Sequence, residues 1–240
     1  MHIRENWISN SYAVQDTTTS IPYPAPQKSC RDVFHAFLVE TAEYDGDDEF
    51  PRVRTSRLLP NRVITFSEAL KTKDYEQWVV FYEHDYQFIR VWNQPRRYLN
   101  ILKRFRGVVT PDFSIYRRMP ICMQKWSIYQ SRALGHWWNE NGLEVIPNAR
   151  FAGYRSYDFC FKGIEKNSTV CIGSLGCLKR RDERALFKEG LDEMVRQLQP
   201  QIIIVYGSAP AEIFNKYRKQ GIEIIAFESE CASSHKKEVH

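Results

Sequence analysis

The residues best placed to do chemistry are polar ones that end short apolar runs. Asp112, in VVTPD, is the only acid between Arg90 and Arg132, a stretch that holds ten basic residues. A carboxylate set among cations can be a general base, a nucleophile or a metal ligand. The competing reading is a helix cap or an ion-pair partner for a nearby arginine. Asn148 and Arg150, in VIPNAR, form the second candidate group. The forked guanidinium suits a phosphate or carboxylate, and the amide can orient it; the plainer alternatives are a surface salt bridge and a turn asparagine. Asp112, Asn148 and Arg150 are therefore the candidate catalytic residues. Gly173 and Ser174 in GSLGC, and Tyr206, Gly207 and Ser208 in YGSAP, lie between an apolar run and a helical one. Backbone N–H groups in such turns attract anions, and glycine allows close approach, although ordinary turn chemistry also accounts for them. Neither turn matches G-x-G-x-x-G or the Walker pattern.

Other strand ends carry Glu83, His84 and Asp85 in YEHD, Thr110 in VVTPD, Gly176 in GSLGC, and Glu228 and Ser229 in AFES. A divalent-metal site from Asp85, Asp112 and Glu228 can be drawn, but the residue types are common and no cofactor is specified. His136, beside Trp137 and Trp138, reads as packing. There is no G-x-S-x-G and no H-E-x-x-H.

These residues meet only if the elements behind them run parallel. WVVFY (78–82), VVT (108–110), LEVIP (143–147), STVCIG (168–173), QIIIVYG (201–207) and IEIIAF (222–227) read as strands, and RVITF (62–66) as a short strand or the entry to one. Between them, helices are expected at 94–106 (opened by Pro95, ended by Gly107), 121–141 (stopped by Gly142), 156–164, 183–198 (capped by Asp182) and 210–220 (from Pro210 to Gly221). Phe187, Leu191, Met194, Val195 and Leu198 give the 183–198 helix its apolar stripe. About six βα units imply an α/β fold with a mainly parallel sheet. It is either an incomplete or distorted TIM-like barrel or an open doubly wound sheet, and both gather the strand C-terminal ends on one edge.

Charge adds a second theme. The 240-residue chain has 34 Lys and Arg against 29 Asp and Glu, a net charge of +5. Helix 94–106 sets Arg96, Arg97, Lys103 and Arg104 opposite Tyr98, Ile101, Leu102 and Phe105, and Arg117 and Arg118 follow. Cations interleaved with rings suit phosphates and bases, so these six are candidate nucleic-acid contacts; a solvated helix face over an aromatic core is the alternative. The six cysteines show neither C-x-x-C nor zinc spacing and read as buried reduced thiols. With 43% hydrophobic residues the chain can build a core, which excludes a wholly disordered protein. No apolar run is long enough for a membrane helix, and MHIRENWISNSY lacks a signal-like apolar stretch. A soluble cytoplasmic protein without a membrane partner is expected. Residues 1–60, with the loop TTTSIPYPAPQKS and the acidic run ETAEYDGDDEF, read as an irregular N-terminal arm; 61–230 form the core domain, and 231–240 a polar tail.

Four segments, RGVVTPDFSIYRRMP, RALGHWWNENGLEVIPNARF, SYDFCFKGIEKNSTVCIGSLGCLK and LQPQIIIVYGSAP, resemble in order the bacterial and phage family catalogued as domain of unknown function 4417. The resemblance covers about residues 75–228. Its two signature pieces correspond to Asn148-Ala149-Arg150-Phe151, with Ala149 interposed, and Tyr206-Gly207-Ser208. It implies the setting of phages and plasmids and supplies no reaction. Three functions follow as expectations: an enzyme acting on a nucleotide or nucleic acid at the strand ends, a non-enzymatic DNA- or RNA-binding accessory protein using the basic 90–132 face, or a phage protein that blocks a host protein through its N-terminal arm.

Overall fold

Short apolar runs between polar turns become strands, and longer runs with apolar residues three and four apart become helices. The computed structural model describes residues 32–229. The segment 17–29, the tail 231–240, Cys30 and Cys231 lie outside the described residues. A 3-10 turn at Ala36–Leu38 leads to an antiparallel pair, β1 (Tyr44–Asp45) and β2 (Phe50–Pro51). Then come β3 (Val63–Thr65), α1 (Phe66–Ala69), β4 (Trp78–Val80), α2 (Asp85–Phe88), α3 (Arg90–Asn93) and α4 (Pro95–Leu102). β5 (Gly107–Val109), α5 (Ile121–Glu140) and β6 (Val145–Ile146) follow, then a 3-10 turn at Tyr154–Ser156. The chain closes with β7 (Thr169–Gly173), α6 (Arg181–Leu198), β8 (Ile202–Tyr206), α7 (Ala211–Arg218) and β9 (Glu223–Phe227).

β3, β4, β5 and β6 form one parallel sheet in that order, and β7, β8 and β9 a second. A parallel bridge between Asn148 and Cys171 continues the pairing from β6 to β7. It is made by Cys171 N–H to Pro147 O (3.0 Å) and Ala149 N–H to Cys171 O (2.8 Å). Spatial order therefore equals chain order, without the reversal that defines a doubly wound sheet. Tyr82, just beyond β4, stacks on Tyr206 of β8 with ring centroids 5.0 Å apart. In a flat sheet, four strand spacings would hold these positions roughly 19 Å apart. The strands curl instead. Trp78, Val80, Tyr82, Val109, Ile146, Cys171, Ile204 and Tyr206 point inward and make a core of their own. The alternate residues, Val79, Phe81, Val108 and Val145, pack outward against helices, as do Val170, Ile172, Ile203 and Val205. Among the described residues β9 does not pair with β3, so the barrel is incomplete.

Several local expectations change. The short strand at 62–66 forms and pairs with β4, and it is the first of the parallel series. Gly107 is not a helix stop: α4 ends at Leu102, and Gly107 opens β5, where a Cβ would sit 2.7 Å from the Trp78 ring. Residues 156–164 form turns rather than a helix. Arg180, not Asp182, is the N-cap of α6; Asp182 lies in the first turn and pairs with Arg180. Residues from the first sixty are not all peripheral to the core. Leu38, Val39, Ala42 and Val53 pack with Phe66 and Phe81, and Phe50 packs with Phe159.

Candidate functional site

The curl brings the strand C-terminal ends around one cavity of about 630 Å³. Thr65 of β3, Tyr82 past β4, Asp112 past β5, Arg150 past β6, Gly173 of β7, Tyr206 of β8 and Ser229 past β9 all line it. Each parallel strand thus contributes a residue.

A chain of hydrogen bonds crosses the cavity wall. The Tyr82 hydroxyl donates to Asn148 Oδ1 (2.8 Å), and Asn148 Nδ2 donates to Asp112 Oδ1 (2.8 Å). Arg150 Nη1 donates to Asp112 Oδ2 (2.9 Å). The Asn148 amide N–H is held by Thr110 Oγ1 at 2.9 Å, and Ser131 Oγ donates to that same hydroxyl at 3.1 Å. The Asp112 side chain is 10% exposed and that of Arg150 30%, so the guanidinium is the more open of the pair. Burial raises the Asp112 carboxyl above its ordinary range, while Arg150 and Asn148 pull it back. Asp112 in turn raises Arg150. Burial lifts Tyr82 well above its usual value, which keeps the phenol protonated as a donor. The Cys171 thiol, 3.1 Å from the Tyr82 oxygen, is pushed up by burial to about 12.

Arg132 holds this wall from behind. It is 0% exposed and donates to three main-chain carbonyls: Lys162 (2.8 Å), Cys160 (2.9 Å) and Asn148 (3.1 Å). Sequence reading counted it as one more cation in the basic segment. Its spacing from Ile128 and Gly135 on α5, four residues before and three after, was the signal for the packed face. Tyr82 was also missed as a site residue. The alternation of WVVFY, which puts it on the face of Trp78 and Val80, was the available clue.

The two glycine turns touch each other. Gly207 has φ +112°, and a Cβ there would lie 2.6 Å from Ser174 Oγ. Ser174 Oγ donates to Ser208 O (2.8 Å), Ser174 N–H to Tyr206 O (3.0 Å) and Gly207 N–H to Phe227 O (2.8 Å). Both of those N–H groups are committed to main-chain carbonyls. Gly173 faces the Tyr82 ring, 2.7 Å from where its Cβ would be. Glu83 accepts from Ser67 N–H, and Asp85 from Ser114 N–H and Oγ. Among the described residues no group of three or more His, Cys, Asp or Glu is arranged to hold a metal ion. His136 is buried, 3.2 Å from Thr41 Oγ1.

The ten cations of the basic segment do not share a face. Arg132 is buried, Lys125 pairs with Asp48 (2.7 Å) and Arg106 with Glu76 (3.6 Å). On and just after α4, Arg96, Arg97, Lys103 and Arg104 are exposed on the outer, helical side of the sheet. Arg96 lies over the Phe37 ring (3.7 Å), Arg97 over Tyr98 (5.6 Å), and Arg104 over Tyr75 (4.0 Å), to whose hydroxyl it also donates. Arg117 and Arg118 are exposed on the loop after β5, where Arg117 lines a small hollow with Tyr116 and Phe151.

The model of the family described as "Domain of unknown function (DUF4417)" matches residues 42–228. The chain belongs to this family. Its relatives include the Gene 1 protein of Mycobacterium phage L5, 41% identical over 127 residues that cover 53% of this chain and 56% of that protein. The Gene 1 protein of Mycobacterium phage D29 is 39% identical over 127 residues, 53% of this chain and 47% of that protein. The chain spans about half the length of these curated relatives. Both of these relatives are phage proteins, and no solved structure matches this chain. Among its described residues no helix is long and apolar enough to cross a membrane.

Proposed function

We propose that the cavity at the barrel mouth is the active site of an enzyme acting on a phosphate-bearing substrate, a nucleotide or a nucleotide unit of nucleic acid. The observation that carries this reading is the Asp112–Arg150 pair. It couples a largely buried carboxylate to a more open guanidinium at a cavity to which every parallel strand contributes. Arg150 uses one N–H on Asp112, and its planar fork has further donors for a phosphate. Asp112, bound once at each oxygen, keeps lone pairs for a substrate proton, and its desolvation makes it a stronger base than an exposed aspartate. Asn148 and Tyr82 fix the orientation of that carboxylate. The test incubates the protein with a panel of nucleotides and oligonucleotides, measuring binding by calorimetry and products by mass spectrometry. Arg150→Ala is expected to abolish binding, and Asp112→Asn to keep binding while losing turnover. Wild-type turnover by Asp112→Asn, or no binding of any phosphate ligand, rejects the reading.

The arginines on and just after α4 support a nucleic-acid face less well, because Arg96, Arg97 and Arg104 all lie against rings of the protein itself. The expectation of a host-factor contact through the N-terminal arm falls largely on residues outside those described.

A further inference from the structure

We infer, building on that reading of the cavity, that its substrate is a single-stranded polynucleotide laid across the barrel mouth rather than a free mononucleotide. Three hollows join there. The central cavity shares Tyr116 with a hollow of about 210 Å³ beside Phe151, Gly153 and Cys177. On its other side it shares Leu175 and Ser229 with a hollow of about 560 Å³ lined by Gly207 and Ser208. The central space is of the size that holds one small ligand. A polymer uses its neighbours as well.

The rim has the chemistry of a strand-binding track. Tyr86 after β4, Tyr116 after β5 and Tyr154 after β6 are 75%, 58% and 81% exposed. Such rings offer flat faces on which unstacked bases lie. Tyr116 is followed by Arg117 and Arg118, and Tyr154 by Arg155. A Cβ on Gly153 would lie 3.6 Å from the Arg117 side chain, so the two Tyr-Arg pairs are neighbours. Lys179 and Arg181 follow the β7 turn. All five of these cations are exposed, and among the described residues none of them is in an ion pair. Of the acids on the same edge, Glu83 is bound by Ser67, Asp85 by Ser114 and Asp182 by Arg180, while Glu183 lines the hollow beside Phe151. A duplex keeps its bases stacked away from such rings, whereas a single strand exposes them.

The test uses the whole protein. Anisotropy is read with labelled oligo-dT and oligo-U of about 3 to 12 nucleotides and with a blunt duplex, beside calorimetry with dTMP and UMP. Oligonucleotides are expected to bind at least about tenfold tighter than mononucleotides, with affinity falling steeply as salt rises. Tyr154→Ala, and separately the pair Arg117→Ala and Arg118→Ala, should weaken oligonucleotides about 5- to 100-fold and leave mononucleotide binding unchanged. The dT and U arms distinguish DNA from RNA. Equal affinity for monomer and oligomer, a duplex that binds as well as a single strand, or rim variants that bind like the parent would overturn the polynucleotide inference and leave the cavity reading intact. Failure of every ligand to bind removes both.

Discussion

Replacing Arg132 by Met tests whether one buried cation supports the whole site wall. The guanidinium donates to three carbonyls from two separate stretches of chain, Asn148 on one side and Cys160 and Lys162 on the other. Methionine has a similar reach and no donors. A hydrogen bond from a charged group contributes about 1.5–3 kcal/mol, so three set an upper bound near 9 kcal/mol. Such bonds are not additive, and removing the charge also removes its burial cost, which lowers Arg132 to about 10. The expected loss is about 3–5 kcal/mol, from carbonyls left unpaired inside the protein. At roughly 2–4 °C per kcal/mol for a chain of this size, the melting midpoint should fall by about 10 °C. Urea unfolding followed by circular dichroism measures the first quantity, and calorimetry the second. Arg132→Lys should recover only part of the loss, because one ammonium cannot reach three diverging carbonyls. A methionine variant within about 1 kcal/mol of the parent refutes the idea that Arg132 holds this wall.

Other outcomes follow from the same geometry. Gly173→Ala forces a methyl group onto the Tyr82 ring and should cost about 1–3 kcal/mol by urea unfolding, with ligand affinity falling because the Tyr82–Asn148 bond is displaced. Because burial raises Asp112, a reaction using it as a base should gain rate as it ionises, with the acid limb of the rate–pH profile above the ordinary aspartate range; a limb at or below that range contradicts the assignment. Cys160 and Cys171, each pushed up to about 12 by burial, stay protonated at pH 8. Iodoacetamide with peptide mass spectrometry should label exposed Cys122 first and these two only after unfolding, and rapid native labelling of Cys171 would be inconsistent with the closed interior.

Much of the architecture was legible because Ile202–Tyr206 and Trp78–Val80 are runs of apolar and β-branched residues that fit a strand covered on both faces. Asp112, Asn148 and Arg150 could be picked out as polar residues following such runs. The bonds among them could not, since they depend on how β4, β5 and the extension of β6 align. The hairpin of β1 and β2 was hidden in an acidic run because its strands are two residues long and rest on tertiary packing of Phe50. Arg132 was misread because composition does not say which side of a helix faces inward. At 156–164, Gly163 takes φ +72°, and a Cβ there would lie 2.4 Å from Pro51 O, a close fit between distant segments that helical propensity does not register.

Strand order that copies chain order has a consequence for biosynthesis. As the polypeptide leaves the ribosome, each new parallel strand meets a neighbour that has already emerged, while the early segment around Val53 waits for its bridge partner, Ile164. The cavity behaves differently, because Ser229, beyond the last strand, is part of its wall. Nascent chains can therefore gain most of their fold before they own a finished pocket, and ligand binding should switch on only once the residues around Ser229 have emerged.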